Sequence, residues 1–295
     1  GKPIIERQII FLKKSGIKEI WILLGYLGDQ IKEHLGNGKK WGVNIRYHQE
    51  KKLLGTGGAV KTLEKEIGKE FLLLSGDIML DFDVKRFIDW HKRKKGIASI
   101  IVHPNDHPFD SDLVEVNDKG QIVSLLRRPH PEGISFRNLS IASVYIFSPK
   151  IFKYIPKNKK NDIEKDILPL LFKSKEKIYA YNTPEYLKDM GAPGRLATVK
   201  ADYASGKIKK LNLENKRKAI FIDRDGAINK NVGFLRKIED FQLLPNVARA
   251  IKKINNSEFL AIVVTNQPVI ARNLCSIEEL EEIHKKMETL LGREG

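Results

Sequence analysis

Apolar positions recur along the first two-thirds of the chain with two different spacings. The spacing typical of one helix face is found at residues 3–14, 28–35, 57–67 and 84–94. Short apolar runs typical of buried strands lie between them, at residues 19–24, 44–48, 71–75 and 98–102. This alternation of strands and helices predicts an α/β fold with a mainly parallel sheet that helices cover.

The middle of the chain is richer in strand patterns. Residues 113–116 and 121–123 flank the turn Asn117-Asp118-Lys119-Gly120 and are expected to form a hairpin. Further patterns predict a strand, a helix interrupted by Pro169 and a closing helix, at 142–147, 162–172 and 192–205. The first domain should therefore contain a mixed sheet.

Apolar residues become sparse at 206–217, and we expect a linker there with little to bury. A second strand–helix–strand–helix pattern follows at 219–222, 247–254, 259–265 and 276–290. Ser276, with Glu279 three residues later, is typical of a capping box at a helix start. A sheet of two strands is too small for a finished domain, so residues 218–295 should form a second, C-terminally incomplete domain after a first domain of residues 1–205.

The composition of the chain bears on the cellular location that we expect for it. Hydrophobic residues make up 41% of the 295 positions, enough for two cores, yet no apolar run is long enough to predict a membrane span. The single cysteine, Cys275, excludes an internal disulfide. No signal-peptide pattern follows Gly1, and these features together favour a cytoplasmic location.

The net charge of +16 raises the question of a nucleic-acid partner. Lysines are spread over predicted loops and solvent faces, with few aromatic residues among them, as at 157–160, 173–175 and 207–210. A nucleic-acid partner is therefore not expected. A positive field also attracts phosphorylated small molecules, which are the partners we expect instead.

Three short segments of the first domain carry candidate chemistry. Gly55-Thr56-Gly57-Gly58 opens a predicted helix, where free backbone N–H groups suit a phosphate or nucleotide. Asp77 follows an apolar strand, at the sheet edge where α/β proteins bind ligands. Asp189 precedes a Gly-x-Pro segment, which on its own predicts a turn. Taken singly, each segment also fits a plain turn or cap.

In this order, the three segments resemble those of sugar-1-phosphate nucleotidyltransferases over residues 1–205. Gly1-Lys2-Pro3 is similar to the segment after that family's first loop, and Glu164-Lys165-Asp166 to one of its helices. The resemblance implies a Rossmann-like mixed sheet. It further implies that Asp77 and Asp189 hold one Mg²⁺ between a sugar phosphate and a nucleoside triphosphate.

The same resemblance assigns further contacts. It implies that Thr56, Gly57 and Gly58 face the nucleotide base and that Glu164 faces a sugar hydroxyl. This chain departs from the family in three places. Arg128, in Arg127-Arg128-Pro129, stands where the family has a lysine for the sugar phosphate, and Ile141-Ala142-Ser143 replaces Asn-Ala-Gly. The Gly-x-Gly-Thr-Arg triphosphate loop would precede Gly1, so the segment as given is expected to bind nucleotide poorly.

The second domain carries Asp223-Arg224-Asp225-Gly226 after an apolar strand. Two carboxylates at a strand tip suit a hard cation and a phosphate. With Thr265-Asn266-Gln267 after the next strand, this run resembles the haloacid-dehalogenase-like phosphatases, most closely the D,D-heptose 1,7-bisphosphate 7-phosphatases. The implied fold is a partial haloacid-dehalogenase-like Rossmannoid domain.

That resemblance implies a covalent mechanism. Asp223 would attack phosphorus, Asp225 would act as acid and then base, and both would take part in holding Mg²⁺. Phosphate and substrate contacts would come from four further residues, Thr265, Asn266, Asn229 and Arg272. The family's later motifs, and the Cys/His zinc loop of this subgroup, would lie past Gly295, so zinc is not expected within these residues. His284, on the last helix, is expected to face solvent.

Three hypotheses follow. The first is a bifunctional enzyme of nucleotide-activated heptose synthesis that removes the 7-phosphate of a heptose bisphosphate and transfers a nucleotidyl group to a sugar 1-phosphate. The second is a hexose or mannose 1-phosphate nucleotidyltransferase with a different phosphatase tail. The third is a non-catalytic protein that binds sugar nucleotides. The sequence leaves the nucleobase, the sugar and homo-oligomer formation open.

Overall fold

The computed structural model describes residues 2–50 and 52–295, so Gly1 of the Gly-Lys-Pro segment and Lys51 lie outside it. The helices are α1 (Ile4–Lys14), α2 (Gly28–Leu35), α3 (Gly55–Lys61), α4 (Val84–Lys94), α5 (Leu168–Lys173), α6 (Pro193–Ala204), α7 (Lys207–Leu211), α8 (Val247–Asn255), α9 (Pro268–Ala271) and α10 (Ile277–Gly292). The strands are β1 (Glu19–Leu24), β2 (Asn44–Gln49), β3 (Phe71–Leu74), β4 (Ile78–Asp81), β5 (Ala98–His103), β6 (Leu113–Val116), β7 (Ile122–Leu126), β8 (Ser140–Phe147), β9 (Ile178–Asn182), β10 (Tyr186–Asp189), β11 (Lys218–Asp223) and β12 (Phe259–Val264).

A six-stranded mixed sheet forms the centre of the first domain. Its strands run in the order β7-β6-β8-β5-β9, and β3 pairs with β8. Strand β8 is antiparallel to β3, β5 and β6, whereas β5 and β9 are parallel. The predicted mixed α/β sheet is therefore confirmed, and β6 and β7 form the predicted hairpin. The expectation of a mainly parallel sheet is wrong, because the strand pairings described for this sheet are antiparallel except for β5–β9.

The apolar core of this domain lies on both faces of β5 and β8. Ile100, Ile101, Val144 and Phe147 are fully buried, because their alternating side chains meet helices on either side of the sheet. Burial on both faces explains why β5 reads as a continuous apolar run. The two strands thereby form the buried centre of the domain.

Two smaller sheets flank the central one. Strands β1 and β2 are parallel neighbours, and β4 pairs antiparallel with β10. Strands β4, β9 and β10 are absent from the prediction. The turn expected at Asp189 is wrong, because residues 186–189 take their hydrogen-bond partners from β4 and so are extended. Asp189 ends β10 and Asp77 directly precedes β4, so this pair positions both candidate metal ligands of the first domain.

Two helix predictions need correction, and the segment expected to be a linker contains a helix. Helix α3 ends at Lys61 rather than Ile67, and the helix over 162–172 begins with a π-helical turn, Ile163–Ile167, before α5. Within the segment 206–217, α7 packs on β4 and β10 and buries Ile208. A single apolar residue among polar neighbours is too weak a pattern to predict this helix. The domain boundaries themselves stay a prediction.

The last 78 residues contain the two-stranded parallel sheet β11–β12, as the pattern predicts. Helix α10 begins with the predicted capping box at Ser276 and Glu279. Its apolar face buries Ile283 and Met287 against Ile228, Leu235 and Phe241. The opposite face of α10 contacts the first domain, where Thr289 Oγ1 accepts from the Phe136 backbone N–H at 2.8 Å.

Within the described residues, no helix combines the length and the apolar character that crossing a lipid bilayer requires.

Candidate active site

Two carboxylates meet at one end of the β4–β10 pair. Asp77 immediately precedes β4, and Asp189 ends β10 opposite Ile78, so the antiparallel register brings them side by side. A Cβ built on Gly191 would lie 3.5 Å from Asp189 Oδ1 and 3.8 Å from Asp77 Oδ2. Both carboxylates therefore face the same small space, as the sequence-based metal assignment requires.

Neighbouring groups hold each of these carboxylates in place. Ser75 Oγ donates to Asp77 Oδ1 at 2.6 Å, and the Met190 backbone N–H donates to the Asp77 carbonyl at 3.0 Å. Asp189 Oδ1 lies 2.7 Å from Arg195 Nε, and the Gly191 N–H also donates to it. Asp77 Oδ2 faces the shared space, and a cation there would share Asp189 Oδ1 with Arg195 or displace that guanidinium.

The chemistry of these donors fits Mg²⁺. Hard carboxylate oxygens are preferred ligands of this ion, which usually keeps several waters and takes phosphate oxygens as well. No group of three or more His, Cys, Asp or Glu side chains within metal-binding reach exists among residues 2–50 and 52–295. Two aspartates would therefore leave most of the octahedron to substrate and water.

A cavity of about 880 Å³ opens beside the two aspartates. Its wall includes Asp77, Asp189, Glu164 and Arg128, together with residues of the C-terminal unit such as Lys252. His103 also lines it, and burial lowers the pKa of this histidine to about 4, so the ring is neutral at physiological pH. The cavity is large enough for a sugar phosphate and part of a nucleotide.

Glu164 is held by two hydroxyl groups. Ser143 Oγ donates to Glu164 Oε1 at 2.8 Å, and the Tyr145 hydroxyl donates to the same oxygen. Burial, together with the neighbouring Glu164 charge, raises the pKa of Tyr145 well above its usual value, so this hydroxyl remains a donor. With Oε1 saturated, Oε2 is the acceptor left for a ligand.

The side chains of the adjacent residues Arg127 and Arg128 make different contacts. Arg127 reaches the carbonyl of Glu164 and so fixes the backbone beneath that carboxylate. Arg128 pairs with Asp110 at 3.2 Å, is more than half exposed and lines the cavity. Arg128 therefore lies at the cavity with its guanidinium held by Asp110, and its phosphate contact stays a prediction.

The glycine-rich segment has a packing role. Gly57 and Gly58 are buried, and a Cβ on Gly57 would lie 2.0 Å from Asn161 Oδ1. A Cβ on Gly58 would lie 2.4 Å from the Leu54 Cβ. Thr56 Oγ1 donates to Asp162 Oδ2 at 2.8 Å and accepts from the Ile163 N–H at 2.9 Å. These residues do not line the 880 Å³ cavity, and their nucleotide contact stays a prediction.

A second polar cluster lies at the ends of β11 and β12. Asp223 ends β11, and Asp225 accepts hydrogen bonds from Asn229 Nδ2 at 3.0 Å and Gln267 Nε2 at 2.8 Å. Gln267 Nε2 also reaches Thr265 Oγ1 at 2.6 Å. Parallel strands deliver their carboxyl ends to one edge, which brings these groups together.

Arg224 is the largest fully buried side chain in the described parts of the chain. Its guanidinium donates to both oxygens of Asp225, at 2.9 and 3.0 Å. Although burial opposes ionisation, the hydrogen bonds from Arg224, Asn229 and Gln267 lower the pKa of Asp225. This side chain is therefore ionised at neutral pH, which is the protonation state of a base rather than of an acid.

Three other assignments in this unit have mixed outcomes. The solvent-facing prediction for His284 is wrong, because its Nε2 lies 3.2 Å from Arg224 Nη1 and its side chain is largely buried. The Arg272 guanidinium stacks over the Phe234 ring at 4.8 Å. The substrate and phosphate roles of Arg272 and Asn266 stay predictions.

The hydroxyl contacts of the first cluster and the burial of Arg224 were not found from the sequence. Ser75, Ser143 and Tyr145 act through hydroxyl groups that their strands bring to the carboxylates. A Ser two residues before Asp77 is a weak local signal for a side-chain contact. Arg224 was quoted within a motif, yet its position next to Asp225 alone did not predict full burial.

The fold and the first cluster define an α/β protein with a mixed sheet and a pair of carboxylates beside a large cavity. The sequence profile described as "Nucleotidyl transferase" matches residues 1–206, and the chain belongs to this family.

Comparisons with individual proteins agree. A UTP–glucose-1-phosphate uridylyltransferase of Synechocystis is 27% identical over 204 residues, covering 64% of this chain and 52% of that protein. A probable mannose-1-phosphate guanylyltransferase 3 of Arabidopsis thaliana is 30% identical over 224 residues, covering 72% of this chain and 62% of that protein. The chain thus spans little more than half the length of curated relatives it matches.

A solved structure is also similar. The crystal structure of HddC from Yersinia pseudotuberculosis matches 69% of this chain and 86% of its own, with a TM-score of 0.59 and 25% identity. The same protein complexed with GMP-PN matches with a TM-score of 0.57. These findings support the nucleotidyltransferase half of the prediction and give no support to the phosphatase half.

Proposed function

We propose that this protein is a Mg²⁺-dependent sugar-1-phosphate nucleotidyltransferase. The observation that carries the proposal is the convergence of Asp77 and Asp189 on one space, beside a cavity that Glu164 and Arg128 also line. Relatives named for transfer to glucose 1-phosphate and mannose 1-phosphate support a hexose phosphate rather than a heptose phosphate as the first substrate to test.

Each of these residues has a proposed role that follows from the chemistry of its side chain. Asp77 and Asp189 would hold the cation, which when bound neutralises phosphate charge. Arg128 would hold the sugar phosphate, and Glu164 Oε2 would accept from a sugar hydroxyl. A sugar-phosphate oxygen so placed attacks the nucleotide α-phosphorus in line, and the bond to pyrophosphate breaks. Positioning and charge stabilisation carry such a reaction.

A direct test measures pyrophosphate release by the full-length protein with Mg²⁺. Glucose 1-phosphate, mannose 1-phosphate and a heptose 1-phosphate are each paired with GTP and UTP. We expect release with at least one pair, and Asp77→Asn should lower it at least a hundredfold. Asp118→Asn, in the exposed turn between β6 and β7, is the matched control and should leave it unchanged. Binding without release would favour the non-catalytic hypothesis.

A second candidate function, phosphate-ester hydrolysis by residues 218–295, is supported by one observation. Asp225, Asn229, Gln267 and Thr265 form a connected polar cluster beside the tip of β11. In this proposal Asp223 is the nucleophile, and ionised Asp225 suits the later step in which water loses a proton. A heptose 1,7-bisphosphate remains the substrate to test.

Phosphate release from that bisphosphate is the measurement for the second candidate. It should vanish in Asp223→Asn and persist in Asp240→Asn, a control at an exposed aspartate of the same unit. Release that survives Asp223→Asn would remove this residue from the mechanism.

A further inference from the structure

Ser143 occupies an unusual place in the central strand β8. Its φ of +50° lies in the left-handed region, where a side chain other than glycine's is strained. The pairing of β8 with β5 is irregular at this point, because Ile100 pairs with Tyr145 while Val102 pairs with Ile141. Two extra residues of β8 therefore bulge, and bulges of this kind re-aim side chains near active sites.

The bulge connects the two halves of the candidate site. On one side, the Ser143 carbonyl accepts from the Ser75 N–H at 3.2 Å, and Ser75 Oγ donates to Asp77 Oδ1 at 2.6 Å. On the other side, Ser143 Oγ donates to Glu164 Oε1 at 2.8 Å. One strained residue thus links the metal-binding carboxylate to the carboxylate proposed to bind sugar.

We propose that Ser143 is a positioning residue that orients the Glu164 carboxylate toward the sugar of the bound sugar phosphate. Its hydroxyl, with that of Tyr145, donates to Oε1 and leaves Oε2 as the free acceptor of this carboxylate. The ligand that this arrangement recognises is a sugar phosphate with a hydroxyl donor opposite Oε2. This inference rests on the proposed nucleotidyltransferase function.

Two substitutions separate the hydroxyl from the backbone strain. Ser143→Ala removes the donor and keeps a Cβ at positive φ, whereas Ser143→Gly removes the donor and relieves the strain. Both should raise the KM for sugar 1-phosphate about tenfold, the usual worth of one hydrogen bond to a charged acceptor, and leave the KM for nucleotide within about twofold. Ser143→Gly should unfold at no lower urea concentration than Ser143→Ala.

Two controls make the test specific. Lys175→Gly relieves a positive φ of +57° at an exposed position away from the cavity, and should not change the KM for sugar phosphate. In a Glu164→Ala background, Ser143→Ala should add less than about twofold, because the hydroxyl acts only through that carboxylate.

The outcomes are distinguishable. If the wild-type protein releases pyrophosphate but neither Ser143 variant changes the KM for sugar phosphate by more than twofold, the positioning role is wrong and the proposed function stands. An equal rise in both KM values would show general distortion and also reject the role. A wild-type protein that is inactive with every substrate pair overturns the proposed function, and the role of Ser143 with it.

Discussion

Replacing Arg137 with alanine tests how the C-terminal unit is held on the first domain. The Arg137 guanidinium donates to Glu281 and Glu288, both on α10, and Glu288 also accepts from the Asn138 N–H at 2.8 Å. The Arg137 and Glu288 side chains are 26% and 28% exposed, whereas that of Glu281 is 47% exposed. The more buried pair should contribute about 1.5 kcal/mol and the exposed pair about 0.5 kcal/mol.

Arg137→Ala should therefore lower the free energy of unfolding by about 2 kcal/mol. All three tryptophans, Trp21, Trp41 and Trp90, belong to the first domain, so urea unfolding followed by their fluorescence reports that domain. A loss detected there means that the contact with α10 stabilises the first domain itself. Arg236→Ala, at an exposed position of the C-terminal unit, is the control.

The pair with Glu281 adds a pH signature. Burial opposes ionisation of Glu281, but the Arg137 hydrogen bond and charge lower its pKa below the usual 4.5. The stabilisation is therefore complete above that pH and declines as the pH falls through the lower, folded-state value. A change of less than about 0.5 kcal/mol at pH 7, or strict additivity of Arg137→Ala with Glu288→Gln, would refute this reasoning.

Two further predictions concern the first domain. Gly57→Ala should lower the free energy of unfolding by about 3 kcal/mol, since its Cβ would lie 2.0 Å from Asn161 Oδ1, and adding Asn161→Ala should restore part of that loss in urea titrations. Burial lowers the pKa of His103 to about 4. Because the unfolded chain binds the proton first, the free energy of unfolding should decrease as the pH falls from about 6.5 to 4. With some solvent contact at the cavity wall, the loss should be about 2 kcal/mol, and it should be absent from unfolding curves of His103→Gln.

The local spacing of apolar residues predicted most strands and helices of the first domain, because that spacing is regular in elements such as β1, α2 and α4. It failed at β4, β9 and β10. Strands β4 and β10 are only four residues long, and each is extended chiefly because the other supplies its hydrogen bonds. A contact between residues more than a hundred positions apart produces no local spacing of apolar residues from which the strand could be predicted.

The candidate site shows the same division. Asp77, Asp189 and Glu164 were proposed from their motifs. The structure places all three at one cavity, and the antiparallel register explains why the first two meet. The glycines at 57 and 58 looked like a ligand loop, but the segment near Asn161 lies against them. His284 was misplaced because its environment comes from Arg224, sixty residues earlier in the chain.

In the proposed function, Asp77 and Asp189 act together as the ligands of one catalytic cation. The most direct measurement is the Mg²⁺ dependence of pyrophosphate release in wild type, Asp77→Asn, Asp189→Asn and the double variant. We predict that each single change raises the half-saturating Mg²⁺ concentration at least tenfold and that the double variant is little worse than either. Wild-type Mg²⁺ dependence in both single variants would contradict the account.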